Sequence, residues 1–419
     1  MSEEPRTIAA IATAPGRGAV AIVRVSGPDA FSVASRLTGR RVEPGRISFR
    51  RLSLDGTLLD RCLVLAFAAP RSYTGEDVVE FQCHGGSVTP RRILESCFAA
   101  GARLARRGEF TERAFLNGRM DLSEAEGVIE LVDAKTERAA DDALSRQGGH
   151  AARAYRALYD KVLRLSSTLE HALDVDDSDL PPSFLEDALA AAASAKDEIE
   201  HALARAREGR ILRDGALVVL AGPPNAGKSS LMNTLLGTSR AIVSATPGTT
   251  RDSIEEWLDI GGWPVRLVDT AGLRGTSDEI EAEGVRRSEA LIAKADVVLA
   301  LDCDIAGAIR VHSKCDLARE PDVLNISSVT GEGLADLKAA IVEALARMSA
   351  GPCEESPTPS EREKSLLAEA RTALSANMED MVLAANSVRT AADALARLVG
   401  AVYSDDLLDS LFSRFCVGK

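Results

Sequence analysis

The chain has 419 residues, enough for two or three domains with cores of their own. With 63 acidic and 50 basic residues its net charge is −13, a bulk field that repels nucleic acid. Seven cysteines without a C-x-x-C pair, no signal-peptide pattern and no apolar run near ~18 residues argue against a disulfide-stapled secreted chain or a membrane protein, and point to a reducing cytoplasm.

Residues 1–118 carry short apolar runs broken by Gly and Pro: Ile8–Ile11, Val20–Val25, Leu63–Phe67 and Val78–Phe81. That texture predicts an α+β domain. Arg36, Arg40, Arg41, Arg46, Arg50 and Arg51 are close enough in sequence to form a basic patch, which reads equally as a local site for RNA or as a solvated loop. From 119 to 212 the pattern turns helical, with Leu158, Val162, Leu165, Leu169 and Leu173 spaced along one apolar face. An acidic loop over 174–182 precedes an Ala-rich helix running towards Arg210. A further domain spans 213–347, residues 348–360 form a linker rich in Pro, Ser and Glu, and helical texture resumes over 361–419. The economical architecture is a multidomain α+β and α/β chain in which the 213–347 domain is inserted into a discontinuous helical domain.

The inserted segment holds the strongest motif. Gly222-Pro-Pro-Asn-Ala-Gly227-Lys228-Ser229-Ser230 matches G-x-x-x-x-G-K-[ST] between an apolar strand, Ala216–Ala221, and a predicted helix over 230–236. Glycines let backbone N–H groups turn towards phosphate oxygens, Lys228 offers a point charge to the outer phosphates, and the Ser229 hydroxyl suits Mg²⁺. Downstream, Gly248-Thr-Thr-Arg-Asp252 supplies a polar loop, Asp269-Thr-Ala-Gly272 ends an apolar strand, Ser313-Lys-Cys-Asp316 places a carboxylate for a guanine edge, and Ser327-Ser-Val329 suits a loop over the base. Order and spacing together resemble Ras-like GTPases. Ser313 stands where the guanine motif usually begins with Asn, and its shorter reach predicts weaker nucleotide binding. The stretch from Asp302 to Lys314 leaves room for a loop and not for a helix.

Catalysis is read from a missing residue. Leu273 follows the Asp-x-x-Gly motif where Ras-like enzymes hold a water-orienting Gln, so another group must do this, with Asp278-Glu-Ile-Glu281 nearby. Asn225 resembles the Asn with which potassium-activated GTPases hold K⁺ beside the phosphates, and oxygens of Ser244, Thr246 and Thr249 suit the same hard cation.

Thr7-Ile-Ala-Ala-Ile-Ala-Thr-Ala-Pro-Gly-Arg-Gly18, Tyr73-Thr-Gly-Glu-Asp77, His84-Gly-Gly86, Gly108–Asn117 and the terminal Phe415-Cys-Val-Gly-Lys419 resemble the tRNA-modification GTPase family MnmE, also called TrmE, across essentially the whole chain. The resemblance implies GTP hydrolysis coupled to adding a carboxymethylaminomethyl-type group to C5 of a tRNA wobble uridine. It also implies a homodimer, a flavin-dependent partner protein in a heterotetramer, and 5-formyl-tetrahydrofolate or a related reduced folate bound by Arg24, Glu80, Arg119 and Lys419. Arg119 stands where the family often has Lys. Glu281 is implied as the water-orienting acid, and Cys416 as a functional thiol near the folate. The nucleotide set implied is Asn225, Ala226, Gly227, Lys228, Ser229, Ser230, Ser244, Ala245, Thr246, Pro247, Gly248, Thr249, Thr250, Asp269, Thr270, Ala271, Gly272, Ser313, Lys314, Asp316, Ser327, Ser328 and Val329. Within it, Ser229 and Thr250 ligate Mg²⁺, and Asn225, Ser244, Thr246 and Thr249 surround K⁺. The alternative is a potassium-activated ribosome-assembly switch with no modification chemistry; the N-terminal motifs and the terminal Cys-Val-Gly-Lys favour the first reading.

Overall fold

The computed structural model describes residues 7–176, 179–241, 255–270, 286, 288–349, 356–376 and 380–419. The chain divides into two compact units, Met1–Ile129 with Val399–Lys419, and Glu130–Leu398.

The first unit is built on β1 (Ile8–Ile11), β2 (Val20–Ser26), α1 (Ala30–Thr38), β3 (Ser48–Leu54), β4 (Thr57–Phe67), β5 (Val78–His84), α2 (Thr89–Ala99), β6 (Arg103–Leu104), α3 (Glu109–Leu116) and α4 (Leu122–Asp133). The four predicted apolar runs are β1, β2 and parts of β4 and β5. The sheet runs β3-β4-β5-β2-β1-β6, antiparallel except for the β1–β6 pair. Alternation sets its two faces. On β4, Cys62, Val64 and Ala66 are buried in the core with Val23, Phe81, Leu37 of α1 and Ile93 of α2, while Leu63 and Phe67 point outwards. Ile8, Ala10, Ala105 and Phe110 form a smaller cluster, with Tyr73 packed on it. The C-terminal helix Asp405–Phe412 and Phe415 pack with Leu122, Ala125 and Val128. Two close approaches fix this tail: a Cβ on Gly108 would lie 2.6 Å from the Phe412 carbonyl oxygen, and one on Gly418 would lie 2.4 Å from that of Ile11.

The second unit begins with α5 (Glu137–Gln147), α6 (His150–Leu173), α7 (Phe184–Ala204) and α8 (Ala206–Asp214). The predicted Ala-rich helix is thus two helices, parted at Arg205. On α6 the buried stripe is Tyr155, Leu158, Val162, Ser166, Leu169 and Ala172. Leu165 is half-buried, and Leu173, expected on that face, is exposed because it is the last residue of the helix and Ala172 fills the position instead. Next come β7 (Ala216–Ala221), α9 (Lys228–Thr238), β8 (Arg240–Ala241), β9 (Glu255–Ile260), β10 (Trp263–Asp269), β11 (Val297–Leu301), β12 (Ile309–His312), β13 (Leu324–Asn325) and α10 (Leu334–Ser349). Their sheet runs β13-β12-β11-β7-β10-β9-β8, with the β13-to-β10 portion parallel. β7 sits in the middle, so Val218 and Leu220 are wholly buried. Parallel neighbours usually need a dozen or more connecting residues. β11 and β12 are joined by 302–308 alone, without a helix, as the sequence predicts. The turn is tightened by left-handed backbone at Asp302 (φ +50°) and by Asp302 N–H donating to Val311 O (2.9 Å).

Helices α11 (Glu361–Leu374) and α12 (Met381–Leu398) close the unit. The chain enters α11 through a capping box, Ser360 with Glu363. Just before it, Arg146 donates to Thr358 O (2.8 Å), Arg213 to Pro359 O (2.7 Å) and the Thr358 hydroxyl to Asp142 (2.8 Å). This segment is a linker by composition, yet Arg146, Arg213, Asp142 and a cap hold it.

Candidate nucleotide site and N-terminal cradle

The loop after β7 is shaped by backbone angles that side chains rarely adopt. Gly222 has φ +151°, and a Cβ there would lie 2.4 Å from the Leu301 carbonyl oxygen at the end of β11. Asn225 (φ +63°) and Gly227 (φ +82°) turn the chain into the N-terminus of α9. Asn is one of the few residues that accept this conformation. Its carbonyl receives the Lys314 Nζ at 2.9 Å. Lys228 is buried, its ammonium donating to the carbonyls of Gly222 (2.9 Å) and Pro223 (2.8 Å) inside the loop. One residue on, Ser229 Oγ donates to Asp269 Oδ2 at 2.6 Å, and Asp269 is 2% exposed at the end of β10. The Thr270 hydroxyl returns to Leu220 O (2.8 Å). A hydroxyl and a carboxylate converging beside a helix N-terminus are a donor set that suits a hard divalent cation.

The other side of the site is a pair of loops at neighbouring strand ends. Ser313 N–H and Oγ both donate to Asp302 (3.0 and 2.6 Å), so the serine that replaces Asn braces its own loop. Cys315 N–H donates to Ile326 O (3.0 Å), joining this loop to Ser327–Val329. Ser327 Oγ accepts from the N–H groups of Val329 and Thr330 (3.2 Å each), and Ser328 O accepts from Thr234 of α9 (3.1 Å). Asp316 and Val329 are exposed on the rim. Asn225, Ala226, Gly227, Lys228, Ser229, Ser230, Asp269, Thr270, Ser313, Lys314, Asp316, Ser327, Ser328 and Val329 thus lie on one end of the sheet. Ser244, Ala245, Thr246, Pro247, Gly248, Thr249, Thr250, Ala271, Gly272, Leu273 and Glu281 lie outside the described residues.

In the first unit, Arg24 of β2 and Glu80 of β5 are direct cross-strand partners, and Arg24 Nε donates to Glu80 Oε1 at 2.8 Å. The guanidinium lies over the rings of Tyr73 (5.4 Å) and Phe110 (5.5 Å), a cation–π arrangement on both. Burial raises the Tyr73 phenol above its usual pKa, although its hydrogen bond to Thr111 (2.9 Å) and the Arg24 charge act against this. Glu80, Arg119, Arg71, Ser72, Tyr73 and Phe67 line a cavity of about 480 Å³, a size that suits a small-molecule ligand. Gly75 (φ +77°) packs beside Arg119, where a Cβ would lie 3.2 Å from Cγ. Behind the cradle, Glu109 receives Arg103 and Arg113 (2.9 Å) and the Arg106 N–H (2.8 Å). Burial alone raises its carboxyl pKa, and these donors more than reverse that, to about 2.

Of the four implied folate contacts, Arg24, Glu80 and Arg119 come together here. Gly418 lies against Ile11 at the end of β1, the next residue, Lys419, donates its N–H to Cys416 O (3.4 Å), and Cys416 is exposed. Sequence reasoning missed Tyr73 and Phe110 as the bed of Arg24, although both fall within quoted motifs. It also missed Asp302, whose only signal is an acid at a strand end.

A buried-strand–loop–helix phosphate cradle, a serine paired to a carboxylate one strand away and two braced loops at the base end define a P-loop GTPase domain. The N-terminus of the GTP-binding protein TrmE matches residues 7–119, and the MnmE helical domain matches residues 122–416. The tRNA modification GTPase MnmE of Symbiobacterium thermophilum is 40% identical over all of both chains. That of Ralstonia nicotianae is 41% identical over 98% of this chain and 96% of its own, and that of Alkalilimnicola ehrlichii 42% identical over 99% of each. The chain belongs to the MnmE family of tRNA modification GTPases.

Proposed function

We propose that this chain is a GTP hydrolase of tRNA modification that, with a flavin-dependent partner protein, adds a carboxymethylaminomethyl-type group to C5 of a wobble uridine. The observation that carries the reading is the coexistence in one chain of the Lys228–Ser229–Asp269 phosphate site and a cavity lined by Glu80 and Arg119, with Arg24 paired to Glu80. A ribosome-assembly switch has no use for the second. GTP with Mg²⁺ supplies the anhydride and its charge clamp. The chain's own part is to hold it: loop amides and Lys228 on the phosphates, the Ser229 hydroxyl and Asp269 towards the metal, Asp316 towards the base. A reduced folate of the 5-formyl-tetrahydrofolate type is the ligand of the second cavity: Arg119, and Arg24 beside Glu80, suit carboxylates, Glu80 suits an amino-pyrimidine edge, and Lys419 is a further cation for a carboxylate.

The same reading includes the domain division 1–118, 119–212, 213–347, 348–360 and 361–419, a cytoplasmic setting and a homodimer joined by its N-terminal domains. Hydrolysis depends on K⁺ held through Asn225, since Leu273 cannot orient water, and on Glu281 to position the nucleophile. The test is single-turnover GTP hydrolysis in K⁺ and Na⁺ buffers. Glu281→Ala lowers the rate by about 10²-fold with GTP binding retained, and Asn225→Ala removes the K⁺ dependence. Equal rates in both salts would end the potassium reading. Unaltered wobble nucleosides by mass analysis in cells lacking the gene would end the modification reading.

A further inference from the structure

Residues 36–61 hold seven arginines against three acidic residues in a chain whose net charge is −13. Two of them, Arg51 on β3 and Arg61 on β4, stand directly opposite each other and are exposed. Like charges across a strand pair destabilise a sheet, and neither has an acidic partner among the described residues. The next rung of the same face is Phe49 opposite Leu63, 68% and 41% exposed, with Gln82 of β5 beside Leu63. One rung further, Leu65 lies opposite Glu80, a wall of the cavity that Arg119 and Tyr73 also line. Four residues separate the arginine rung from the cavity rung, about 13 Å at ~3.3 Å per residue.

We infer that this strip is a docking surface for single-stranded RNA. Arg51 and Arg61 take phosphates, the Phe49 ring gives a base a stacking platform, and the strip leads a base towards the cavity walled by Glu80 and Arg119. Cation pairs interleaved with an exposed aromatic are what sequence-tolerant single-strand binding uses. Charge selects this occupant over a second copy of the chain, because a two-fold contact centred on the rung would bring four guanidiniums together. The inference rests on the tRNA reading above.

The test is binding of an unmodified tRNA transcript with a wobble uridine to the full chain, by fluorescence anisotropy across a salt series. Arg51→Glu with Arg61→Glu weakens binding at least ~10-fold at ~50 mM salt and flattens the salt slope by about two phosphates. Phe49→Ala weakens it ~5-fold or more with the slope unchanged. Arg51→Lys with Arg61→Lys retains the slope, and GTP turnover stays at the wild-type rate in every variant. Unchanged affinity and slope in the charge-reversed protein, while the wild type binds, overturn the surface alone. A smaller assembly by light scattering in that variant also overturns it, by giving the face to a second copy. No binding by the wild type removes the tRNA reading and the strip together.

Discussion

The phosphate loop and the N-terminal cradle are built from different parts of the chain. In the loop the working groups are backbone amides and carbonyls, set by Gly222, Asn225 and Gly227 within a nine-residue run. In the cradle they are side chains from separate places: Arg24 on β2, Tyr73 in a loop, Glu80 on β5, Phe110 on α3 and Arg119 beyond it. A backbone site needs particular angles at consecutive positions, so its sequence is local and restrictive. A side-chain site needs only that the topology bring the groups together, so its sequence is scattered.

The sharpest way to break this contrast is to add one methyl group to the loop. Gly222→Ala puts a Cβ 2.4 Å from a carbonyl oxygen that belongs to the central sheet and cannot move aside. Strain and clash together cost about 4 kcal/mol, so GTP affinity falls by about 10³-fold. Titration with a fluorescent GTP analogue, alongside circular dichroism, checks this. Affinity within a few-fold of wild type would mean that the loop is not held by its backbone.

Legibility followed the same division. The strand–loop–helix unit at 216–238 and four of the six strands of the first unit show in apolar runs and glycines, because each is fixed by neighbours in sequence. The short β11–β12 connection was countable directly. The bed of Arg24 was not readable from spacing, because Arg24 and Glu80 are 56 residues apart and meet only through strand register. Only motif resemblance brought them together. Leu173 was misplaced because periodicity says nothing about where a helix ends, and the split at Arg205 was missed because alanines continue the pattern through it.

On the cradle side the largest effect falls on its support. Glu109 has its pKa lowered from 4.5 to about 2, so its contribution to stability is complete above about pH 4.5 and disappears as pH falls towards 2. Glu109→Gln keeps the shape and loses the charge. We expect a cost of about 2 kcal/mol at pH 7 and a flatter loss of stability between pH 4.5 and 2. Denaturant unfolding of both proteins at several pH values measures it; parallel pH profiles would remove Glu109 from the account.

Arg24→Ala and deletion of Lys419 probe the cradle directly. Each weakens binding of a reduced folate by about 10-fold, the scale of one charge-assisted hydrogen bond. Steady-state GTP turnover stays at the wild-type value, since the two sites are built in different units. Unchanged folate affinity by calorimetry in both variants would separate the cradle from folate.

The smallest effect divides the work of one side chain. Tyr73 meets Arg24 through its ring face and Thr111 through its hydroxyl. Tyr73→Phe keeps the ring and removes only the hydroxyl, leaving Thr111 to re-pair. A neutral hydrogen bond of this kind contributes about 1 kcal/mol, so folate affinity drops by no more than about 5-fold. Tyr73→Ala removes the ring as well, and with it the surface that fixes the guanidinium, so it approaches the loss seen for Arg24→Ala. If Tyr73→Phe proves as damaging as Tyr73→Ala, the hydroxyl and not the ring positions Arg24. A single hydrogen bond would then carry the cradle, which would make it much more like the phosphate loop than the geometry indicates.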